Sequence, residues 1–166
     1  MRIKIGLISD SHSYIDHKTL AYLQDVDEIW HAGDIGTVEV IDQLRAFKPL
    51  RAVYGNIDGH EVRMEVPLHN RFRIEGVDVL MTHIAGKPGK YAKPAHEELQ
   101  KEAPRLFVCG HSHILLVKFD PHFNMLWMNP GACGNKGFHQ VKTVLRFSIT
   151  DDRIHDLEAI EIGKRI

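Results

Sequence analysis

Five short polar stations punctuate this chain, and each closes an apolar run: Asp10-Ser11-His12, Gly33-Asp34, Gly55-Asn56, Thr82-His83 and Gly110-His111-Ser112-His113. The runs before them are Ile3–Ile8, Glu28–His31, Leu50–Tyr54, Val77–Met81 and Leu106–Cys109, the pattern of buried strands entering loops. Helical signals lie between the first three. Asp16 is a plausible N-cap ahead of Leu20 and Leu23, while Val38, Ile41, Leu44 and Phe47 recur every third residue before Pro49. Strands alternating with helices build a sheet with parallel strands, and in such sheets ligands bind outside the carboxyl ends of the strands. Residues far apart in sequence are therefore expected to converge.

After His113 the texture changes. Leu115–Phe119 and Met125–Met128 flank Asp120–Asn124 as a hairpin would, and Thr143–Ile149 with Ile154–Ile162 reads as a second antiparallel pair. A mixed sheet, a second and largely antiparallel sheet, and outer helices give an α/β class fold, a four-layer α/β/β/α sandwich. A length of 166 residues fits one domain spanning 1–166.

Lys and Arg number 21 against 22 Asp and Glu, so no global field requires nucleic acid or an anionic membrane as partner. Cys109 and Cys133 are too few for a disulfide framework, and the N-terminal residues lack the apolar region of a secretory signal. A cytoplasmic location is the expectation. No apolar run approaches the roughly 20 residues that span a bilayer, so no membrane association is expected.

The stations supply two carboxylates, an amide oxygen and four imidazoles, an inventory hard to bury unless cations neutralise it. No thiolate accompanies them, which argues against a closed structural zinc site and for catalytic metal. Asp34 is the natural bridge between two cations at the roughly 3.5–4 Å separation of two-metal hydrolases. A water between them would be acidified, and the hydroxide could attack phosphorus in line with the leaving oxygen. His31 precedes Ala32 on the strand that delivers Asp34; alternation turns it away from the metals, and a backbone-bonded core histidine is expected. His17, His69, His96, His122 and His155 lie among polar or turn-forming neighbours and are read as solvated.

In this order, Asp-x-His, Gly-Asp, Gly-Asn, a lone His and Gly-His-x-His resemble the calcineurin-like metallophosphoesterase superfamily over nearly the whole chain. Gly55-Asn56-Ile57-Asp58 and Asn129-Pro130-Gly131-Ala132 are similar to its compact bacterial and archaeal phosphodiesterase branch. The resemblance implies the same four-layer sandwich. It places Asp10, His12, Asp34 and His113 around one divalent metal and Asp34, Asn56, His83 and His111 around the other. Asp34, Asn56 and Asp58 are grouped as catalytic, Asp58 as a residue that orients its loop, and Asn129 is expected to fix a turn near the site. Mn2+ is the favoured metal, with Fe2+, Zn2+ and Ni2+ also suited to these donors.

The implied activity is that of a metal-dependent phosphodiesterase on a small-molecule phosphodiester, with homo-oligomerisation left open. A phosphomonoesterase, or a non-catalytic scaffold like the retromer subunit of this fold, is the alternative. One departure bears on the choice. Many members carry a His at the position of Ile57, and that His protonates the departing oxygen; a contribution of about 10²–10⁴ should be missing here. This favours diesters. Finally, His83 opens into a Gly-rich loop whose Lys87 and Lys90 are candidate substrate-binding cations, with a solvated turn as the competing reading.

Overall fold

The computed structural model describes residues 1–166. Its first half runs β1 (Arg2–Ile8), α1 (His17–Tyr22), β2 (Glu28–His31), α2 (Val38–Phe47), β3 (Leu50–Ala52) and α3 (His60–Glu65). The Asp16 carboxylate caps α1 by accepting from the Lys18 N–H at 2.8 Å. A second set follows: β4 (His69–Ile74), β5 (Val77–Thr82), the short hairpin β6 (Gly86–Lys87) and β7 (Lys90–Tyr91), α4 (Lys93–Lys101), β8 (Leu106–Val108), β9 (Leu115–Asp120) and β10 (Met125–Pro130). The chain closes with the long pair β11 (Val141–Thr150) and β12 (Arg153–Lys164).

Two five-stranded sheets result, ordered β12-β11-β1-β2-β3 and β4-β5-β8-β10-β9. In the first, β1, β2 and β3 are parallel; in the second, β5, β8 and β10 are parallel and the edges β4 and β9 run antiparallel. Strand alternation sends side chains to two different interfaces. Ile5, Leu7, Trp30, Phe147 and Ile149 of the first sheet meet Val77, Val79, Met81, Leu106 and Val108 of the second. On the outer face of the first sheet, Ile8, Ile29 and Val144 pack under Leu44 of α2 and Val62 of α3. Leu80, Phe107 and Trp127 pack under Ala95 and Leu99 of α4. Three apolar interfaces thus separate four layers, each fully buried large side chain contributing about 1.5–3 kcal/mol.

The structure differs from the sequence expectation in one placement. The C-terminal pair extends the first sheet, because β11 pairs antiparallel with β1 (Ile3 opposite Ile149, Ile5 opposite Phe147, Leu7 opposite Leu145). The second sheet is therefore mixed and not largely antiparallel. Burial on both faces explains the placement: Leu145, Phe147 and Ile149 enter the inter-sheet core while Val144 faces the helices, as a central strand requires. β3 is also shorter than expected, ending at Ala52, since the Tyr54 N–H turns away to the Pro67 carbonyl at 3.0 Å. No helix is long and apolar enough to cross a membrane.

Candidate metal centre

Every station lies just beyond the carboxyl end of a strand. Asp10 and His12 follow β1, Asp34 follows β2, Asn56 follows β3, His83 follows β5, and His111 and His113 follow β8. Backbone hydrogen bonds lace these loops together: Asp10 N–H to the Gly33 carbonyl at 2.9 Å, His12 N–H to Asp34 at 3.0 Å, and Gly110 N–H to His83 at 3.1 Å. Asp10, His12, Asp34, His111 and His113 all adopt left-handed backbone, with φ of 55°, 46°, 54°, 72° and 63°. Such residues cost on the order of 1–3 kcal/mol each and persist where surrounding structure over-determines them. Gly55 is demanded by contact, since a Cβ there would lie 2.1 Å from Asp34 Oδ1.

The donors form two groups, Asp10 with His12 and His113, and Asp34 with His83 and His111; within each, the ligand atoms lie within 4.8 Å of one another. Asp10 is fully buried, and its Oδ2 accepts from the Ser9 hydroxyl at 2.6 Å and the His111 N–H at 3.1 Å. Its Oδ1 has no hydrogen-bond partner and faces Nε2 of His113, His83 and His12 at 3.2, 3.8 and 4.0 Å. Asp34 Oδ1 accepts from the Ile57 N–H at 3.1 Å, while Oδ2 lies 3.4 Å from His12 Nε2 and 3.3 Å from His83 Nε2. One carboxylate oxygen therefore touches both groups.

The hydrogen-bond geometry fits a cation on chemical grounds. Nδ1 of His83 lies 2.7 Å from the Ala32 carbonyl oxygen, which only accepts, so Nδ1 carries the hydrogen. In the neutral ring Nε2 is then a bare lone pair, buried without a partner and aimed at two carboxylates. His12 Nε2 is buried without a partner as well. Lone pairs facing carboxylate oxygens repel unless positive charge lies between them, and ligands about 2.0–2.2 Å from one cation sit about 3–4 Å apart.

The electrostatics agree. Burial pushes the Asp10 carboxyl up, but the neighbouring His113, the nearby His83 and the Ser9 hydroxyl outweigh it, leaving Asp10 below its ordinary value. Asp34 is likewise pushed up by burial and pulled well below the carboxylate range by the neighbouring His12 and His83. Burial lowers His83, yet Asp34 and Asp10 raise it overall, whereas His111 is lowered, chiefly by burial. Carboxylates held ionised in a buried setting among imidazoles mark a place that calls for positive charge.

Other sequence-selected residues sit around these groups. Asn56 is exposed and lines a cleft of about 480 Å3 with His83, Tyr54, Leu68 and Ile84. Asp58 is buried, and its carboxylate accepts from the Gly55, Ile35 and Gly36 N–H groups at 2.8, 3.0 and 2.8 Å, which joins the Asp34 and Asn56 loops. Its oxygens are spent on backbone, as a loop-orienting role requires. Lys87 and Lys90 face each other on the exposed β6–β7 hairpin and line a second cleft of about 530 Å3 with Ser112, Ile114 and Trp127. The Asn129 amide donates to the Gly110 carbonyl at 2.9 Å and the Ser112 hydroxyl at 3.0 Å, bracing the His111–His113 loop. Two histidines beside the site go beyond the sequence expectation. His69, read as solvated, is half-buried on β4, bonded to Thr82 Oγ1 at 2.8 Å and lining the first cleft; His139 lies 3.1 Å from His113. Nothing in their sequence neighbourhoods marks these pairings.

Two mixed sheets between helices, with Asp and His donors gathered at the strand ends, define a four-layer sandwich built to hold metal. The family profile for the calcineurin-like phosphoesterase superfamily domain matches residues 3–152, and the chain belongs to that family, whose members are metal-dependent. A probable metallophosphoesterase of Methanothermobacter thermautotrophicus is 31% identical over 134 residues, covering 77% of this chain and 76% of that protein. Among solved structures, an archaeal phosphodiesterase matches with a TM-score of 0.75 at 21% identity, over 96% of this chain and 99% of its own. Wild-type Vps29 complexed with Zn2+ from Entamoeba histolytica matches with a TM-score of 0.69 at 16% identity, over 97% and 100%. These two share the fold.

Proposed function

We propose that this metallophosphoesterase is a phosphodiesterase that takes a small-molecule diester and works with two divalent cations. The observation that carries the reading is Asp34 Oδ2, which is 3.4 and 3.3 Å from nitrogens of two separate donor groups. Asp10, His12, Asp34 and His113 would hold one cation, and Asp34, Asn56, His83 and His111 the other. Bound there, such a pair supplies an acidified water and neutralises charge that builds on the phosphoryl oxygens. Mn2+ is favoured, and Fe2+, Zn2+ and Ni2+ suit the same thiolate-free donors.

Two further features support a diester. One cleft is lined by the donors Asn56 and His83 and walled by Tyr54, Leu68 and Ile84; a separate one, walled by Lys87, Lys90, Ile114 and Trp127, includes Ser112 of the His111–His113 loop. A diester carries two organic groups to seat, and a monoester only one. Lys87 and Lys90 would draw the anionic substrate in, while Asp58 and the Ile57 N–H hold Asp34 in place. Ile57 donates no proton from its side chain, which suits a substrate whose leaving group departs unaided.

The test is hydrolysis of a bis-aryl phosphodiester and an aryl phosphomonoester by protein stripped with chelator and then reloaded with Mn2+. Expected is turnover only after reloading, a faster diester, and none detectable in Asp34→Ala. Full turnover after exhaustive chelation, or a faster monoester, overturns the reading.

A further inference from the structure

We propose that His139 is a positioning residue for this metal centre: it fixes the ring orientation and tautomer of His113, so that His113 Nε2 presents its lone pair beside Asp10. The inference rests on the metal-dependent reading above and adds a residue that no station contains.

Nε2 of His139 lies 2.7 Å from the Gly134 oxygen, which only accepts, so Nε2 carries the hydrogen. Nδ1 of the neutral His139 ring is then an acceptor, and it lies 3.1 Å from Nδ1 of His113. Two nitrogens bond only when one of them donates, so the hydrogen belongs to His113 Nδ1. His113 is left with its lone pair on Nε2, the atom 3.2 Å from the unpartnered Asp10 Oδ1. The rings meet edge to face, 75° apart, so the contact runs through the nitrogens and not through stacking.

The loop carrying His139 is shaped for this contact. A Cβ at Gly137 would lie 2.0 Å from His113 Nδ1, and its φ of +131° is open only to glycine, so the backbone passes directly over the His113 ring. On its other side the loop is held by Arg165, whose guanidinium donates to the Gly137 carbonyl and whose N–H donates to Gln140 at 3.0 Å. His83 needs no such relay, because its Nδ1 bonds directly to the Ala32 carbonyl. Only the group of Asp10, His12 and His113 depends on His139.

That asymmetry is the test. Metal-stripped full-length protein is titrated with Mn2+ alone by calorimetry, as wild type, His139→Ala and His139→Gln. Expected is a 10–100-fold loss of affinity (about the range for an outer-shell partner) for one of two equivalents in His139→Ala, with the other unchanged. His139→Gln, whose amide keeps one acceptor and one donor, should recover part of the loss. Histidine ring NMR on metal-free wild type above neutral pH should show His113 protonated on Nδ1, and folded His139→Ala should lose that preference. Unchanged Mn2+ affinities in folded His139→Ala overturn the proposal, and so does a wild-type His113 protonated on Nε2; the latter decides even if the variant does not fold. If wild type binds two Mn2+ yet hydrolyses no phosphoester, the function falls and the His139 role stands. If wild type binds no Mn2+, both fall.

Discussion

His31 ties two donor-bearing loops together from behind. The Gly33 N–H donates to its Nδ1 at 3.1 Å, so Nε2 carries the hydrogen and donates to Ser11 Oγ at 2.8 Å, and Ser11 donates onward to the Ile35 carbonyl at 2.9 Å. Burial is the main cause that pulls this imidazole down to about 4, with Asp58 and Asp10 opposing it. The unfolded chain takes up a proton below its ordinary value of 6.5 and the folded chain only near 4, so stability falls as pH drops through that window and is unaffected above it. The loss is about 3 kcal/mol. Urea unfolding of metal-free protein at neutral pH and near pH 4 should therefore show wild type losing about that much more than His31→Gln; equal losses would sink the assignment. Ile57 carries a different prediction. Its side chain is aliphatic and 46% exposed while its N–H holds Asp34, so rates across diesters of graded leaving-group acidity should fall steeply for poor leaving groups. Ile57→His should flatten that series, and a flat wild-type series with chemistry limiting would mean that another acid acts.

At the scale of elements, β11 and α1 are joined by a buried ion pair. Lys142 Nζ lies 2.7 Å from Asp16 Oδ2, both side chains are buried, and Asp16 also caps a helix of six residues, too short to persist without tertiary support. The Lys142 hydrogen bond is the largest cause that holds the Asp16 carboxyl below its usual value. Lys142→Met strands a buried carboxylate and should cost about 3–5 kcal/mol, whereas adding Asp16→Asn, which keeps the cap and removes the charge, should recover most of it. Denaturant midpoints of the single and double variants check this, and additive losses would refute the pairing. The same strand shows where the sequence stops being legible. Apolar runs closed by Asp10, Asp34, His83 and His111 announced β1, β2, β5 and β8 because burial and strand ends are written locally. The partner of β11 was not announced, because alternation states that Phe147 and Ile149 face a core and not which sheet supplies it. Asp58 was expected to orient its own loop, but its reach to the Ile35 and Gly36 N–H groups and the His139 contact were hidden for the same reason, since they arise only when loops distant in sequence cross.

The whole molecule is built as two sheets whose loops share one set of donors. Asp10, His12, Asp34 and Asn56 come from the first sheet, and His83, His111 and His113 from the second, and each donor group draws on both. Cations bound there would join the sheets across the end of the inter-sheet core, opposing the repulsion of unpartnered carboxylate and imidazole atoms and the backbone cost of five left-handed donor residues. Metal should therefore act on global stability and not only on turnover. A ligand that binds only the folded state stabilises it by about 2.7 kcal/mol at a free concentration 100 times Kd, which raises the midpoint of a chain this size by roughly 5–10 °C. Thermal unfolding of wild type in Mn2+ and in chelator should differ by that order, and Asp34→Ala should lose most of the difference. Amide exchange adds a local reading: the Asp10 and His12 N–H groups, bonded across to Gly33 and Asp34, should exchange faster in chelator, while core amides such as Phe107 keep their protection. Identical midpoints and identical exchange with and without Mn2+ would leave the two sheets held by their apolar interface alone.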